Sequence, residues 1–118
     1  MRDVSGFWRS FGFAGQGVWH AVRTQRNVRV QLLAGAGAVV LGLVLGITAT
    51  DWAAIVLAIG LVLTAETFNT VVEAIVDLCT SEYHPLAKIA KDTAAGAVLI
   101  ASAAAVGVGI AVFLPRLI

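Results

Sequence analysis

The chain has 118 residues, of which 59% are hydrophobic and only 13% charged, with a formal net charge of +1 and a mean hydropathy of +0.92. Eight Lys plus Arg and seven Asp plus Glu cannot cover the surface of a small soluble domain, in which about one quarter of residues are charged. A soluble monomer is excluded, disorder is excluded by the same numbers, and the single cysteine, Cys79, excludes a disulfide framework.

The first element is predicted over residues 5–25. Phe7, Trp8, Phe11, Ala14, Val18, Trp19 and Val22 recur at helical spacing, while Arg9, Gln16, His20 and Arg23 occupy the other face. This pattern describes an amphipathic helix lying in a membrane interface. Phe13 breaks it, because it falls on the polar face with Arg9 and His20. An aromatic there either stacks on a ligand or is simply exposed.

Three apolar runs follow, predicted as transmembrane helices over 30–50, 52–78 and 92–114. Each reaches the roughly 20 residues that a spanning helix needs, and unbroken apolar runs without alternation indicate helices rather than barrel strands. The first run is too long and too far from Met1 to be a cleaved signal peptide, and arginines flank it. A short link near Thr48 to Trp52 makes the first two spans an antiparallel hairpin. Gly42 and Gly46 form a GxxxG pair and the third run is rich in Ala and Gly, which permits close helix contact. Arg2, Arg9, Arg23, Arg26 and Arg29 precede the first span, Lys88 and Lys91 lie between the second and third, and the hairpin tip has no cation. The positive-inside rule then places the N-terminus and the 78–92 loop in the cytoplasm. Arg116, beyond Pro115 at the end of the third run, is the one dissenting charge.

The second span holds the polar residues that carry chemistry. Glu66, Asn69, Glu73 and Asp77 are three, four and four residues apart, so they share one stripe of a helix and extend over roughly 16 Å. Ionisable groups inside a span are costly and usually functional. The stripe suits a proton or ion path as in a small transporter, a metal site with hard oxygen ligands, or a polar seam between helices. The next segment, Ser81 to Asp92, is polar. Lys91 and Asp92 stand where the third span is predicted to begin, with Asp92 as its N-cap. A helix start and a lysine attract anions; together with carboxylates for a metal they suggest a nucleoside triphosphate. No GxxxxGK[ST] or GxGxxG motif is present.

The run from Ala65 to Asp77, AETFNTVVEAIVD, resembles the signature E-x-x-N-[ST]-x-x-E-x-x-x-D of the prokaryotic integral-membrane diacylglycerol kinase family, and Ala90-Lys91-Asp92 resembles its A-K-D motif. Residues 11–17 and 25–29 resemble the family's N-terminal helix and its turn into the first span. The resemblance implies an all-α membrane protein with an interfacial N-terminal helix and three transmembrane helices. It further implies a single kinase domain over 1–118 and a homotrimer in a bacterial inner membrane, with sites between subunits. The implied reaction transfers the γ-phosphate of ATP to a lipid hydroxyl, with Mg2+.

The same resemblance assigns roles to residues. Glu66 would be the general base and would also contact the lipid, while Asn69 would orient the reacting groups. Glu73 would hold the metal together with Gln25, which stands where the family often has Glu and offers a carbonyl without charge. Arg9, Phe13, Glu82, Tyr83, His84, Lys91 and Asp92 would bind the nucleotide, Phe13 standing where the family often has Tyr. Asn27 and Arg29 would bind the lipid substrate. Thr93 to Val98 and His84 to Lys88 are similar to the undecaprenol kinase branch rather than the diacylglycerol branch. The expected partners are thus a membrane lipid, ATP and further copies of the chain, with no nucleic acid.

Overall fold

The computed structural model describes residues 4–118, so Arg2 lies outside the described residues. Four helices follow one another: α1 (Val4–Thr24), α2 (Arg26–Leu45), α3 (Ala49–Cys79) and α4 (Pro85–Leu117). The last three are each long and apolar enough to cross a membrane. The architecture therefore matches the sequence expectation in kind, and differs from it at the helix ends.

The α1 helix carries an aromatic cluster in which the rings of Phe7 and Phe11 lie 5.3 Å apart and those of Trp8 and Phe11 5.7 Å apart. Residues 11–20 are all exposed, so the helix leaves its apolar stripe uncovered by the rest of the chain. It comes down onto the bundle at Ala21, which is 2% exposed. The helix stops at Thr24 because Gln25 adopts an extended backbone (φ −110, ψ 112) and caps α2.

The link between α2 and α3 comes earlier than predicted, at residues 46–48. Leu45 ends α2 because Gly46 takes the left-handed conformation (φ 65, ψ 51), with its N–H bonded to the Gly42 carbonyl at 3.0 Å. A left-handed residue is where glycine stops a helix without a Cβ clash. Thr48 then starts α3 three residues later. Its hydroxyl accepts from the Asp51 N–H while the Asp51 carboxylate accepts from the Thr48 N–H, a reciprocal capping box. Ala49 and Thr50, expected to close the first span, thus belong to the next helix.

The two glycines of the GxxxG pair act separately. Gly46 is the helix stop just described. Gly42 seats the Trp52 indole: a Cβ there would lie 2.8 Å from one ring carbon and 3.0 Å from the Ile47 side chain. Around that contact Ile47, Ile55, Val112 and Phe113 form the buried core, with Leu41, Trp52 and Ile59 packed against it. The core therefore sits at the hairpin-tip end, and the polar row of α3 occupies the other end.

The third span starts earlier than expected. His84, not Asp92, is the N-cap of α4: its Nδ1 accepts from the Leu86 N–H at 3.1 Å, and Pro85 occupies the first turn. Proline favours that position because its missing N–H has no intrahelical partner there anyway. Asp92 consequently lies two turns inside the helix. Nor does Pro115 close α4, which continues to Leu117. The Arg116 guanidinium turns back onto the Val112 carbonyl and forms an ion pair with Asp51 at 2.6 Å. The cation that seemed to dissent from the charge pattern is thus neutralised by the first turn of α3.

Two consequences can be measured. Gly42→Ala must displace the indole or the hairpin, and should lower stability in detergent by roughly 1–3 kcal/mol, the usual cost of overpacking; an unchanged unfolding midpoint would remove Gly42 from the packing argument. The Asp51 carboxylate is bonded by both the Thr48 N–H and the Arg116 guanidinium. Asp51→Asn should therefore be less thermostable than the parent at pH 7, and equal midpoints would remove the carboxylate from the account of the tip.

Candidate active site

The predicted row is present on α3, and its burial is graded. Glu66 is 3% exposed, Asn69 and Glu73 are half-buried, and Asp77 is exposed. Hydroxyls on the same helix bond back to its own carbonyls, Thr67 to Leu63 at 2.7 Å and Thr70 to Glu66 at 3.1 Å. Such back-bonding satisfies these hydroxyls within the helix and leaves the carboxylates as the reactive edge. Asn69 Nδ2 donates to Glu73 Oε1 at 3.2 Å. Its other atom, Oδ1, is buried with no hydrogen-bond partner among the described residues. An orphaned buried acceptor costs about 1–3 kcal/mol, and it is an oxygen set beside a carboxylate.

Gln31 of α2 stands beside the Glu66 carboxyl and interacts with it, and Glu73 adds a like charge nearby. Sequence reasoning missed Gln31. The available signal was an amide one residue into an otherwise apolar span, the same kind of signal that marked Asn69.

At the loop end, Asp77, Glu82, Tyr83, His84, Lys91 and Asp92 line one open cleft of about 700 Å³. The loop that makes its wall is held by Thr80, whose hydroxyl donates to the Glu82 carbonyl at 3.1 Å and accepts from the Glu82 N–H at 3.2 Å. His84 spends Nδ1 on the helix cap, so only Nε2 remains for the cleft. Lys91 Nζ donates to Asp77 Oδ1 at 2.7 Å, an α4-to-α3 ion pair. Asp92 pairs with Lys88 one turn away on its own helix. Five of the seven residues predicted to bind the nucleotide are therefore gathered in one place, with Asp77 as their hinge to the polar row.

The other predicted residues lie elsewhere in the subunit. No residue of α1 or α2 lines this cleft. Arg9 donates to Ser5 on its own helix at 3.2 Å, and Phe13 is exposed. Gln25 sits at the elbow between α1 and α2 and makes no side-chain cap bond; Asn27 is exposed on the next turn. Arg29 Nη1 donates to the carbonyls of Val22 and Arg23, both at 2.9 Å. No group of three or more His, Cys, Asp or Glu side chains forms a metal-sized cluster among the described residues.

Residues 12–113 match the family described as prokaryotic diacylglycerol kinase. The undecaprenol kinase of Bacillus subtilis (strain 168) is 38% identical over 115 residues, covering 98% of this chain and 94% of that protein. A diacylglycerol kinase of Synechocystis is 44% identical over 110 residues, covering 92% of this chain but 63% of that protein. The diacylglycerol kinase of Escherichia coli (strain K12) is 34% identical over 107 residues, 88% of each chain.

Because Asp77 and Lys91 are both well exposed, their pair should contribute little to stability and remain free to exchange for a ligand. Asp77→Asn should shift the thermal midpoint in detergent by no more than about two degrees. A large drop would make the pair a structural tie instead.

Proposed function

The chain belongs to the prokaryotic diacylglycerol kinase family, and on that premise we propose that this lipid kinase transfers the γ-phosphate of ATP to the hydroxyl of undecaprenol. The observation that carries the mechanism is the graded row on α3: a buried carboxylate at the deep end, an orphaned amide oxygen and a second carboxylate in the middle, and a polar cleft with Lys88 and Lys91 at the loop end.

The proposed division of labour follows the row. An alcohol on a membrane lipid approaches from within the bilayer, where Glu66 takes its proton. The resulting oxygen nucleophile attacks the terminal phosphorus, the bond to the bridging oxygen of ADP breaks, and the phosphate monoester and ADP form. Asn69 orients the reacting groups and holds Glu73 through its amide. The nucleotide occupies the loop-end cleft, with Lys91 on phosphate and Glu82, Tyr83, His84 and Asp92 around it. Phosphoryl transfer depends on positioning and charge neutralisation more than on covalent chemistry, and this set supplies both.

The donors present fit Mg2+, a hard cation that takes oxygen ligands. Glu73 and Gln25 would hold it, with the unpartnered Asn69 Oδ1 next to Glu73 as a further oxygen. When bound, the ion neutralises charge on the polyphosphate.

Assembly into a homotrimer is supported by what the single chain leaves open. The α1 helix is uncovered over residues 11–20, and Arg9, Phe13 and Gln25 do not line their own subunit's cleft. Large apolar side chains such as Leu33, Leu43, Leu57 and Leu99 are exposed along the spans. Sites between subunits would bring the missing residues in. The aromatic stripe of α1 suits the membrane interface. Pairing of Arg116 with Asp51 leaves the arginines before α2 and the lysines of the loop as the cationic side, which supports a cytoplasmic N-terminus and 78–92 loop in a bacterial inner membrane.

Diacylglycerol is the second reading, favoured by the Synechocystis and Escherichia coli relatives; both lipids present a primary alcohol, so the row serves either. Purified protein given labelled ATP, Mg2+ and each lipid in turn should label undecaprenol preferentially, and Glu66→Gln should lose roughly a hundred-fold or more in turnover while the oligomer and nucleotide binding persist. Preference for diacylglycerol would overturn the substrate and keep the mechanism. Wild-type turnover in Glu66→Gln would overturn the general base, and labelling of neither lipid by folded protein would overturn the kinase reaction.

A further inference from the structure

The elbow between α1 and α2 is closed by a single side chain. Every helix ends with carbonyls that lack an intrahelical donor. At the end of α1, the Ala21 carbonyl accepts from the Gln25 N–H at 2.9 Å. The next two, Val22 and Arg23, both accept from Arg29 Nη1 at 2.9 Å. Arg29 lies on the first turn of α2, so its guanidinium reaches back across Gln25 to the helix before it. A cation at a helix C-terminus is also favoured by the partial negative charge there. Buried apolar residues stand on both sides, Ala21 at 2% exposed and Val28 at 4%. The two helices are thereby held at a set angle around Gln25, whose extended backbone breaks the helix and whose side chain is not used in capping.

We infer that Arg29 is a positioning residue: it locks the α1–α2 elbow and so holds Gln25, and the face of α1 carrying Arg9 and Phe13, in register with the nucleotide side of the site. This differs from the lipid-binding role that the sequence resemblance implies for Arg29, and it rests on the proposed function for what is being positioned. The guanidinium reaches both carbonyls through one nitrogen, which a lysine ammonium can imitate with its several donors and a glutamine amide cannot match in reach or charge.

The test compares Arg29→Gln and Arg29→Lys with the parent in detergent micelles. Trypsin cuts after Arg23 and Arg26, which flank the elbow, so cleavage there reports its opening without needing turnover. Loss of the clamp in Arg29→Gln should speed those cuts roughly three-fold or more. It should also raise KM for magnesium–ATP roughly five-fold or more, as a small misplacement of binding groups does, and leave KM for the lipid within about two-fold. Arg29→Lys should restore protection and recover most of the nucleotide KM. A raised lipid KM with cleavage unchanged would overturn the inference and return Arg29 to the substrate. Parent-like cleavage and kinetics in Arg29→Gln would overturn it as well. If Arg29→Gln does not fold, Arg29→Lys decides alone: parent-like protection supports the clamp, and rapid cutting with a parent-like nucleotide KM overturns it. A parent protein without kinase activity would overturn the proposed function, and the clamp would still be judged by cleavage.

Discussion

A carboxylate inside a membrane-crossing helix has to be kept from hydrocarbon, because an ionisable group exposed to lipid costs kilocalories that a small bundle cannot spare. Glu66 meets that constraint by packing inside the subunit next to Gln31. Much of the arrangement follows. The polar row has to turn inward at its deep end and can open towards water only at its other end, which is the order of burial from Glu66 to Asp77. The apolar core is displaced to the hairpin tip, where Ile47, Ile55, Val112 and Phe113 meet. The apolar core and the polar row therefore lie at opposite ends of the same three helices.

That separation explains how the ends of the molecule are built. At the tip the backbone turns tightly on Gly46, the Thr48–Asp51 box starts the next helix, and Asp51 also binds Arg116 from the last helix. One carboxylate thus ties the start of α3 to the end of α4. At the loop end the ties are looser: Lys91 with Asp77, Lys88 with Asp92, and a hydroxyl bracing the 80–82 turn. Exposed pairs of this kind contribute little to stability, which suits the proposed function, in which their charges exchange partners when a phosphate arrives. On the proposed function the loop end is where an anionic ligand meets Lys91, and a rigid ion-pair network there would compete with binding.

The N-terminal helix is the part of the chain with the fewest partners of its own. Its aromatic side chains contact one another, and the rest of the subunit leaves them uncovered. On the inference drawn from the elbow, its angle is set there by the Gln25 break and the Arg29 bonds. A lever fixed at one end can place distant side chains only if the fixed end is well defined, so the elbow has more influence on the α1 residues than any contact they make themselves.

The amino-acid sequence by itself determined the class of molecule and the helix that carries the polar row. Low charge and three long apolar runs leave membrane helices as the way to satisfy every backbone group. The three-and-four spacing of Glu66, Asn69, Glu73 and Asp77 puts them on one stripe whatever surrounds it. Helix boundaries were less legible. Polarity suggested that the third span begins at Asp92, but Pro85 and the His84 ring start that helix two turns earlier, and hydropathy does not register a cap. Only the tertiary structure decided which side chains face one another: Gln31 with Glu66, Arg29 with the end of α1, Arg116 with Asp51, and Trp52 against Gly42. Periodicity along one helix states which residues share a face, and it carries no information about which face of another helix is packed against them.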